Sequence, residues 1–97
     1  MVTEIAQIEV EAGQEKSFER AVADALPLFD RAEGCHGARL CRSVEFPQRY
    51  RLLVDWETVE HHMVRFRESP DFARWRALAG PFFATPPAVE HVSTVVP

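Results

Sequence analysis

The chain has 97 residues, of which 46% are apolar and 27% charged, and a formal net charge of −4. This length suits one domain with one core and leaves enough surface that burial by a second copy is an open option. No apolar run approaches the roughly 18 residues of a membrane span, and Glu4 interrupts the order of a secretion leader. We therefore expect a single domain over residues 1–97, located in the cytoplasm and without a membrane partner.

The charged and metal-ligating residues argue against several functional classes. Ten arginines accompany the single Lys16, but they alternate with acids, as in Arg67 and Glu68, which is typical of a solvated face rather than a nucleic-acid surface. Cys35 and Cys41 have no second pair of ligands, so free thiols are favoured over a zinc site. There is no Gly-rich phosphate loop or flavin fingerprint, and we expect no cofactor.

The first two elements are predicted from the spacing of apolar residues. Residues 2–11 alternate apolar and polar side chains, which predicts a strand. A helix then extends to about Ala32, because apolar residues recur every three or four positions. Pro27 predicts a kink or a break in this helix, since it removes a backbone donor. The strand face comprises Ala6, Ile8 and Val10, and the helix stripe comprises Phe18, Ala21, Val22, Ala25, Leu26 and Phe29.

A hairpin is predicted in the middle of the chain. Residues 38–45 and 49–57 read as strands, and Phe46–Gln48 connects them. Aromatic and branched residues on one face of the second of these strands indicate that this face carries the core. That face comprises Tyr50, Leu52, Val54 and Trp56.

Two short helices and a last strand are predicted after the hairpin. Thr58 is a suitable N-cap for a helix over residues 59–68, and Ser69 and Pro70 begin another helix. An irregular apolar segment follows, and then a strand over residues 88–96. The first helix would bring together Val59, His62, Met63 and Phe66, and the second Phe72, Trp75 and Ala79.

This order of elements predicts an α+β fold. The sequence strand, helix, strand, strand, helix, strand is typical of the ferredoxin-like βαββαβ arrangement, in which both helices cover one face of a four-stranded antiparallel sheet. The other face, with Ile5 and Leu53, would be exposed in a monomer. We therefore expect a homodimer formed through this sheet face.

Three motifs give the chain a resemblance to a known family. Trp56-Glu57-Thr58, the segment FRESPDF over residues 66–72 and the closing PAVEHV together resemble the antibiotic biosynthesis monooxygenase domain family, over residues 3–95. The resemblance implies a dimeric α+β barrel. It also implies one of several activities, because the family includes cofactor-free monooxygenases acting on polyketide-like or quinol substrates, haem-degrading enzymes and isomerases.

The functional residues of two branches of that family are not matched. Where the haem-degrading branch has asparagine, tryptophan and histidine, this chain has Ala6, Phe66 and Arg76, so we do not expect haem binding. Quinol-oxidising and isomerase-like members carry two histidines in the form HxxSxHF. The matching positions here are Phe66 and Asp71, so a catalytic histidine would have to be a different one.

His62 and His91 are the candidate catalytic residues. His62 lies on the apolar face of its helix near Trp56, and it could remove a proton from a phenol or enol because imidazole titrates near neutral pH. The alternative is a core histidine bonded to a carbonyl or a strand acid. His91, on the last strand, could instead only pair across the sheet. A metal site of His61 and His62 is not expected, since neighbours on a helix diverge.

The remaining candidates would bind a substrate. Three arginines on adjacent strands, Arg39, Arg42 and Arg51, could hold an oxyanion, and Arg51 is the candidate for the substrate site. Salt bridges to the strand acids Glu9, Glu45 or Asp55 are the alternative. The walls of the pocket are expected to comprise Trp56, Phe66, Trp75, Phe82 and Phe83. The sequence therefore favours a cofactor-independent monooxygenase acting on an aromatic or polyketide-like small molecule. The alternative is a non-redox binding protein, cyclase or isomerase of the same fold.

Overall fold

The computed structural model describes residues 1–97 and has the predicted ferredoxin-like α+β architecture. Four antiparallel strands form one sheet in the order β2-β3-β1-β4, and the helices cover one of its faces. None of the helices combines the length and hydropathy that crossing a bilayer requires. The elements are β1 (Val2–Glu9), α1 (Glu15–Asp30), β2 (Cys35–Arg42), β3 (Arg49–Trp56), a π-helix (His61–Phe66), α2 (Pro70–Ala79), a 3₁₀ turn (Gly80–Phe82) and β4 (Ala88–Val92).

The core lies between the two central strands and α1. The alternation of β1 and β3 is as predicted, because in a strand successive side chains point to opposite faces. Trp56 and Phe18 are completely buried, and each such side chain contributes roughly 1.5–3 kcal/mol to stability. The buried set comprises Ala6, Ile8, Val10, Tyr50, Leu52, Val54 and Trp56 from the sheet and Phe18, Val22, Ala25, Leu28 and Phe29 from α1.

The predicted break at Pro27 is wrong. Helix α1 continues through Pro27 to Asp30 as one element. Pro27 lies in the last turn with its ring exposed, and its carbonyl still accepts a hydrogen bond from the backbone of Arg31 at 3.2 Å. Pro27 supplies no backbone N–H to the helix, and the helix ends three residues later at Asp30.

Strands β2 and β4 differ from their predicted ranges. β2 begins at Cys35 and not at residue 38, because a bulge between Cys35 and Gly37 lets the chain pair with β3 earlier. Gly37 has a φ of 147°, a conformation that a residue with a Cβ rarely adopts. β4 ends at Val92 and not at residue 96, because its partner β1 begins at Val2 and Val92 already pairs with Thr3.

The helix predicted over residues 59–68 is present, and His61–Phe66 within it form a π-helix. The backbone N–H of Arg67 donates to the carbonyl of His62 at 3.1 Å, which is a bond of five residues and not four. Thr58 caps this segment as predicted, since its hydroxyl accepts from the backbone N–H of His61 at 3.2 Å. Such widened turns are rare in proteins, and those that occur are often found at functional sites. Here the widened turn carries His62 and Phe66 inward, where both are buried.

Candidate functional site

A cavity of about 610 Å³ lies between the sheet and the covering elements. Its floor is made by Glu4, Ala6 and Ile8 of β1 and by Leu52 of β3. The π-helix, α2, the segment after the 3₁₀ turn and β4 supply the walls. The size and the mostly apolar lining are typical of a site for a small organic molecule.

Three polar side chains lie next to one another in the lining of this cavity, with His62 between Glu4 and His91. We call them the Glu4–His62–His91 triad. Nδ1 of His62 lies 2.8 Å from Nε2 of His91, within hydrogen-bond distance. Nε2 of His62 lies 3.4 Å from Oε1 of Glu4. The indole Nε1–H of Trp56 donates to the same carboxyl oxygen at 2.9 Å. A carboxyl group therefore connects through one imidazole to a second imidazole that lines the cavity.

The fold positions each member of the triad by a different contact. Glu4 and His91 are direct partners in the antiparallel pairing of β1 and β4, so they share the helix-facing side of the sheet. His62 comes from the π-helix and stacks on Trp56, with ring centroids 5.3 Å apart and ring planes 13° from parallel. The stacking on Trp56 fixes the plane of the His62 ring, and the two polar contacts fix the positions of its two nitrogens.

Burial shifts both inner members of the triad toward their neutral forms. Burial raises the pKa of Glu4 to about 7, while the hydrogen bond from Trp56 and the charge of Arg67 act in the opposite direction. Burial, with the neighbouring His91 and Arg67, lowers the pKa of His62 to about 4. Glu4 is only 4% exposed and His62 only 5%, so water screens neither group. The carboxyl therefore gains or loses its proton near neutral pH while His62 stays neutral.

The three side chains point at one another and not at a common centre. No group of three or more His, Cys, Asp or Glu side chains in the chain is arranged to hold a metal ion. The arrangement is instead that of a proton-transfer pathway, in which each nitrogen or oxygen is within reach of the next.

Several predicted site residues come together here. His62 and His91 both line the cavity, and so do Trp75 and Phe83. The alternatives considered for the two histidines are also present in part, because His62 does contact a strand acid and His91 does pair across the sheet. The two contacts turn out to belong to one triad.

Other predicted residues lie elsewhere. Trp56 and Phe66 are buried behind His62 and do not line the cavity, and Phe82 packs against Phe18. Arg51 is not brought to this site at all, because it lies on the open face of the sheet. There it donates to Oε1 of Gln7 at 3.0 Å, so its partner is an amide and not a strand acid.

Glu4 is the candidate site residue that the sequence interpretation missed. The alternation that places Ala6, Ile8 and Val10 on the core face of β1 places Glu4 there too, two residues earlier. A carboxyl in an otherwise apolar core face was the available signal. Its pairing with His91 depends on the register of two strands more than 80 residues apart in the chain, which no local pattern reveals.

The fold and this site define a small α+β protein with a ligand cavity between its sheet and its helices. The chain belongs to the antibiotic biosynthesis monooxygenase family, whose family model matches residues 1–78. The resemblance of the chain to that family is thereby confirmed, and two of the three motifs, at residues 56–58 and 66–72, lie within the matched range.

Individual relatives agree with this assignment. A protein of Bordetella bronchiseptica assigned to the antibiotic biosynthesis monooxygenases is 58% identical in sequence, with a TM-score of 0.96 over 98% of this chain and 97% of its own. The uncharacterized protein YczJ of Bacillus subtilis is 37% identical over 98% of this chain and its own full length. SnoaB, a cofactor-independent oxygenase from Streptomyces nogalater, is 18% identical with a TM-score of 0.83, over 99% of this chain and 94% of its own, and thus shares the fold.

Proposed function

We propose that this protein is a cofactor-independent monooxygenase that oxidises a phenolic or enolisable aromatic molecule in the cavity beside the Glu4–His62–His91 triad. The observation that carries the proposal is the triad itself, a buried carboxyl connected through His62 to a histidine that lines a cavity of about 610 Å³. Membership of the monooxygenase family and the shared fold of a cofactor-independent oxygenase support the same reaction class.

In the proposed mechanism the ionised Glu4 selects the tautomers of both histidines. Its Oε1 faces Nε2 of His62, so the proton of His62 resides on Nε2 and Nδ1 accepts the Nε2–H of His91. Nδ1 of His91 is then unprotonated and accepts the proton of the substrate hydroxyl. The positive charge that forms on His91 is stabilised through His62 by the Glu4 carboxylate, as in other carboxylate–histidine pairs.

The resulting phenolate or enolate is electron-rich enough to reduce dioxygen. For a substrate with an activated CH₂ group, one electron passes to O₂ and the two radicals join through a new C–O bond, which gives a hydroperoxide. The carbon then loses its second hydrogen as a proton while the O–O bond breaks. One oxygen atom stays as the new carbonyl and the other leaves as water, so the CH₂ group supplies all four electrons that O₂ takes up.

Oxygen consumption with anthrone tests the proposal. We expect catalysed turnover in air, none under nitrogen, and one ¹⁸O atom in the anthraquinone formed from anthrone under ¹⁸O₂. His91→Ala and His62→Ala are expected to lose about 100-fold in kcat/KM, the usual contribution of a general base. His36→Ala, at an exposed position of β2, is the matched control and keeps full activity.

Turnover that proceeds equally well without oxygen would contradict the monooxygenase and favour the second candidate, an isomerase or cyclase. The same triad supports that candidate, because proton transfer alone requires no oxidant. Absence of turnover with every substrate, together with unaltered binding in His91→Ala, would leave a non-catalytic binding protein.

We further propose that the protein is a cytoplasmic homodimer formed through the open face of the sheet. On that face Ile5 and Leu53 are direct cross-strand partners, and both are only partly covered. Two free cysteines agree with a reducing compartment. In sedimentation experiments we expect a dimer that Leu53→Glu converts to a monomer and that Val44→Glu, in an exposed turn, does not; a monomeric parent protein would contradict the proposal.

A further inference from the structure

Two arginines at the rim of the cavity have no acidic partner. Arg67 and Arg76 line the cavity and are exposed, and neither forms an ion pair. The arginines two positions earlier do have acidic partners. Arg65 donates to Glu33 at 2.8 Å, and Arg74 donates to Asp71 at 2.5 Å. These two neighbouring arginines are thus neutralised, while Arg67 and Arg76 keep their charge available.

Both guanidinium groups lie against the same aromatic ring. The Cζ atoms of Arg67 and Arg76 are 5.6 Å and 6.0 Å from the centroid of Phe72, which itself lines the cavity. A guanidinium that stacks on a ring is steadied without using its N–H donors, which lie in its own plane. The only polar contact of the Arg67 guanidinium is a weak one with the sulfur of Met63 at 3.9 Å. The donors of both arginines therefore remain free for a ligand.

The charge of the cavity is opposite to that of the chain. The net charge of the protein is −4, yet the lining contains two arginines and a single acid, Glu4. The charge of Arg67 also reaches the interior: although burial is the main cause of the shifted pKa of Glu4 and of His62, Arg67 lowers both pKa values. A positive opening into an apolar cavity attracts anions and orients them.

We propose that the substrate of this site is an aromatic carboxylic acid, whose carboxylate is held by Arg67 and Arg76 at the rim while its phenolic or enolic end meets His91. The inference rests on the proposed function for the role of His91, but the recognition of the carboxylate stands on the two arginines alone. Planar, forked donors match the two oxygens of a carboxylate, and the mostly apolar lining of the cavity suits the aromatic body of an organic acid.

Binding of three closely related probes tests this inference separately from catalysis. 1-Hydroxy-2-naphthoate, its methyl ester and 1-naphthol share one ring system, and only the first carries a negative charge. Quenching of tryptophan fluorescence reports binding, because Trp75 lines the cavity. We expect the carboxylate to bind roughly tenfold more tightly than the ester, and this preference to weaken at high salt.

The variants Arg67→Gln and Arg76→Gln are expected to lose roughly fivefold each in affinity for the carboxylate, the range of charge-assisted hydrogen bonds at partly exposed sites, with little change for the ester. Arg20→Gln, an exposed arginine of α1 without an ion pair, makes the same change in net charge and is the matched control. All three arginines of this comparison are exposed, so we expect the variants to fold, which circular dichroism verifies.

Equal binding of the carboxylate and the ester, survival of the preference in the Arg67→Gln/Arg76→Gln double variant, or no binding of any probe would overturn the inference. Tight binding of the carboxylate without oxygen consumption by any substrate would leave the inference standing and contradict the monooxygenase. Oxygen-dependent turnover of the neutral anthrone that is indifferent to both arginines, without preferential binding of the carboxylate, would do the reverse.

Discussion

Two carboxyl groups in different regions of this molecule are shifted in opposite directions. Asp71, at the surface end of α2, accepts hydrogen bonds from Arg31 at 2.7 and 2.8 Å and from Arg74, and these contacts lower its pKa to about 2. Glu4, in the cavity floor, has an indole N–H and a neutral imidazole as neighbours, and burial raises its pKa to about 7. The surface site stabilises the charged form of Asp71, whereas the cavity brings the pKa of Glu4 close to neutral pH.

The difference separates a group that supports the fold from a group suited to chemistry. A carboxylate held by two guanidiniums does not exchange its proton at physiological pH. A carboxyl with a pKa near 7 can ionise and reprotonate within one catalytic cycle, which is the condition for acid–base work at neutral pH. The four predictions below alter one side of this contrast at a time.

The largest expected effect is on stability, from Glu4→Gln. A carboxyl whose pKa is raised in the folded state stabilises the fold at low pH and loses that contribution as the pH rises through about 7. Relative to the variant, the parent protein should therefore lose roughly 2.5 kcal/mol between pH 5 and pH 8.5. Urea unfolding at both pH values measures this difference, with Glu45→Gln in an exposed turn as the control. A constant difference between parent and variant would mean that Glu4 titrates normally.

The same Glu4→Gln change should lower kcat/KM for the proposed oxidation of anthrone about 100-fold at pH 8. The reason is that the amide of Gln cannot stabilise a charged His91 through His62. In the parent, protonation of Glu4 reverses the tautomers of both histidines, so activity should fall below pH about 7. The variant should lack this acidic limb. A pH–rate profile of the variant that keeps a limb near pH 7 would assign the titration to another group.

A smaller effect is expected from Trp56→Phe, which removes the indole donor to Glu4. That hydrogen bond lowers the pKa of Glu4, so its loss should raise the pKa further and move the acidic limb to higher pH. At pH 7 we expect roughly fivefold lower activity, since hydrogen bonds to charged groups contribute about 1.5–3 kcal/mol and the limb shifts by part of this. Trp75 lines the cavity but does not donate to Glu4, so Trp75→Phe is the control and should leave the acidic limb of the pH–rate profile at the same pH.

The smallest effect is expected from Asp71→Asn. The hydrogen bonds and charges of Arg31 and Arg74 depress the pKa of Asp71, so its contribution to stability is present above pH 4 and is lost as the pH falls through about 2. Because this ion pair is at the surface, the variant should melt no more than about 5 °C below the parent at pH 7. Calorimetry at pH 7 and pH 2.5 measures the difference in melting temperature between parent and variant. A difference larger than this at pH 7 would mean that Asp71 also supports the packing of α1 on α2.

The periodicity of the sequence predicts the fold of this protein and only part of its site. Alternation places Tyr50 and Leu52 in the core and Arg51 opposite them, so the exclusion of Arg51 from a helix-side cavity follows from the same pattern that predicts the strand. The spacing of His62 and Phe66 puts both on one helix face, and both are buried. Local patterns are sufficient where a residue's environment is set by its own element.

The remainder of the site depends on contacts between distant segments. The pairing of Glu4 with His91 requires the register of two non-consecutive strands, and the orientation of His62 requires a π-helical turn that has no recognised local signature. The raised pKa of Glu4 results from the depth of its burial, which is a property of the assembled layers. These properties become visible only once the helices are packed on the sheet.

The shortness of β4 has a consequence for how the protein responds to heat. Its five residues, Ala88–Val92, lie at the sheet edge, pair with β1 alone and bury little apart from His91. Segments with few buried contacts open locally at free energies well below that of global unfolding. Detachment of this edge would carry His91 away from His62 while leaving the core between α1 and β3 intact. Warming should therefore reversibly abolish the proposed oxidation of anthrone several degrees before the far-ultraviolet signal changes, and the amide protons of β4 should exchange with solvent ahead of those of β3.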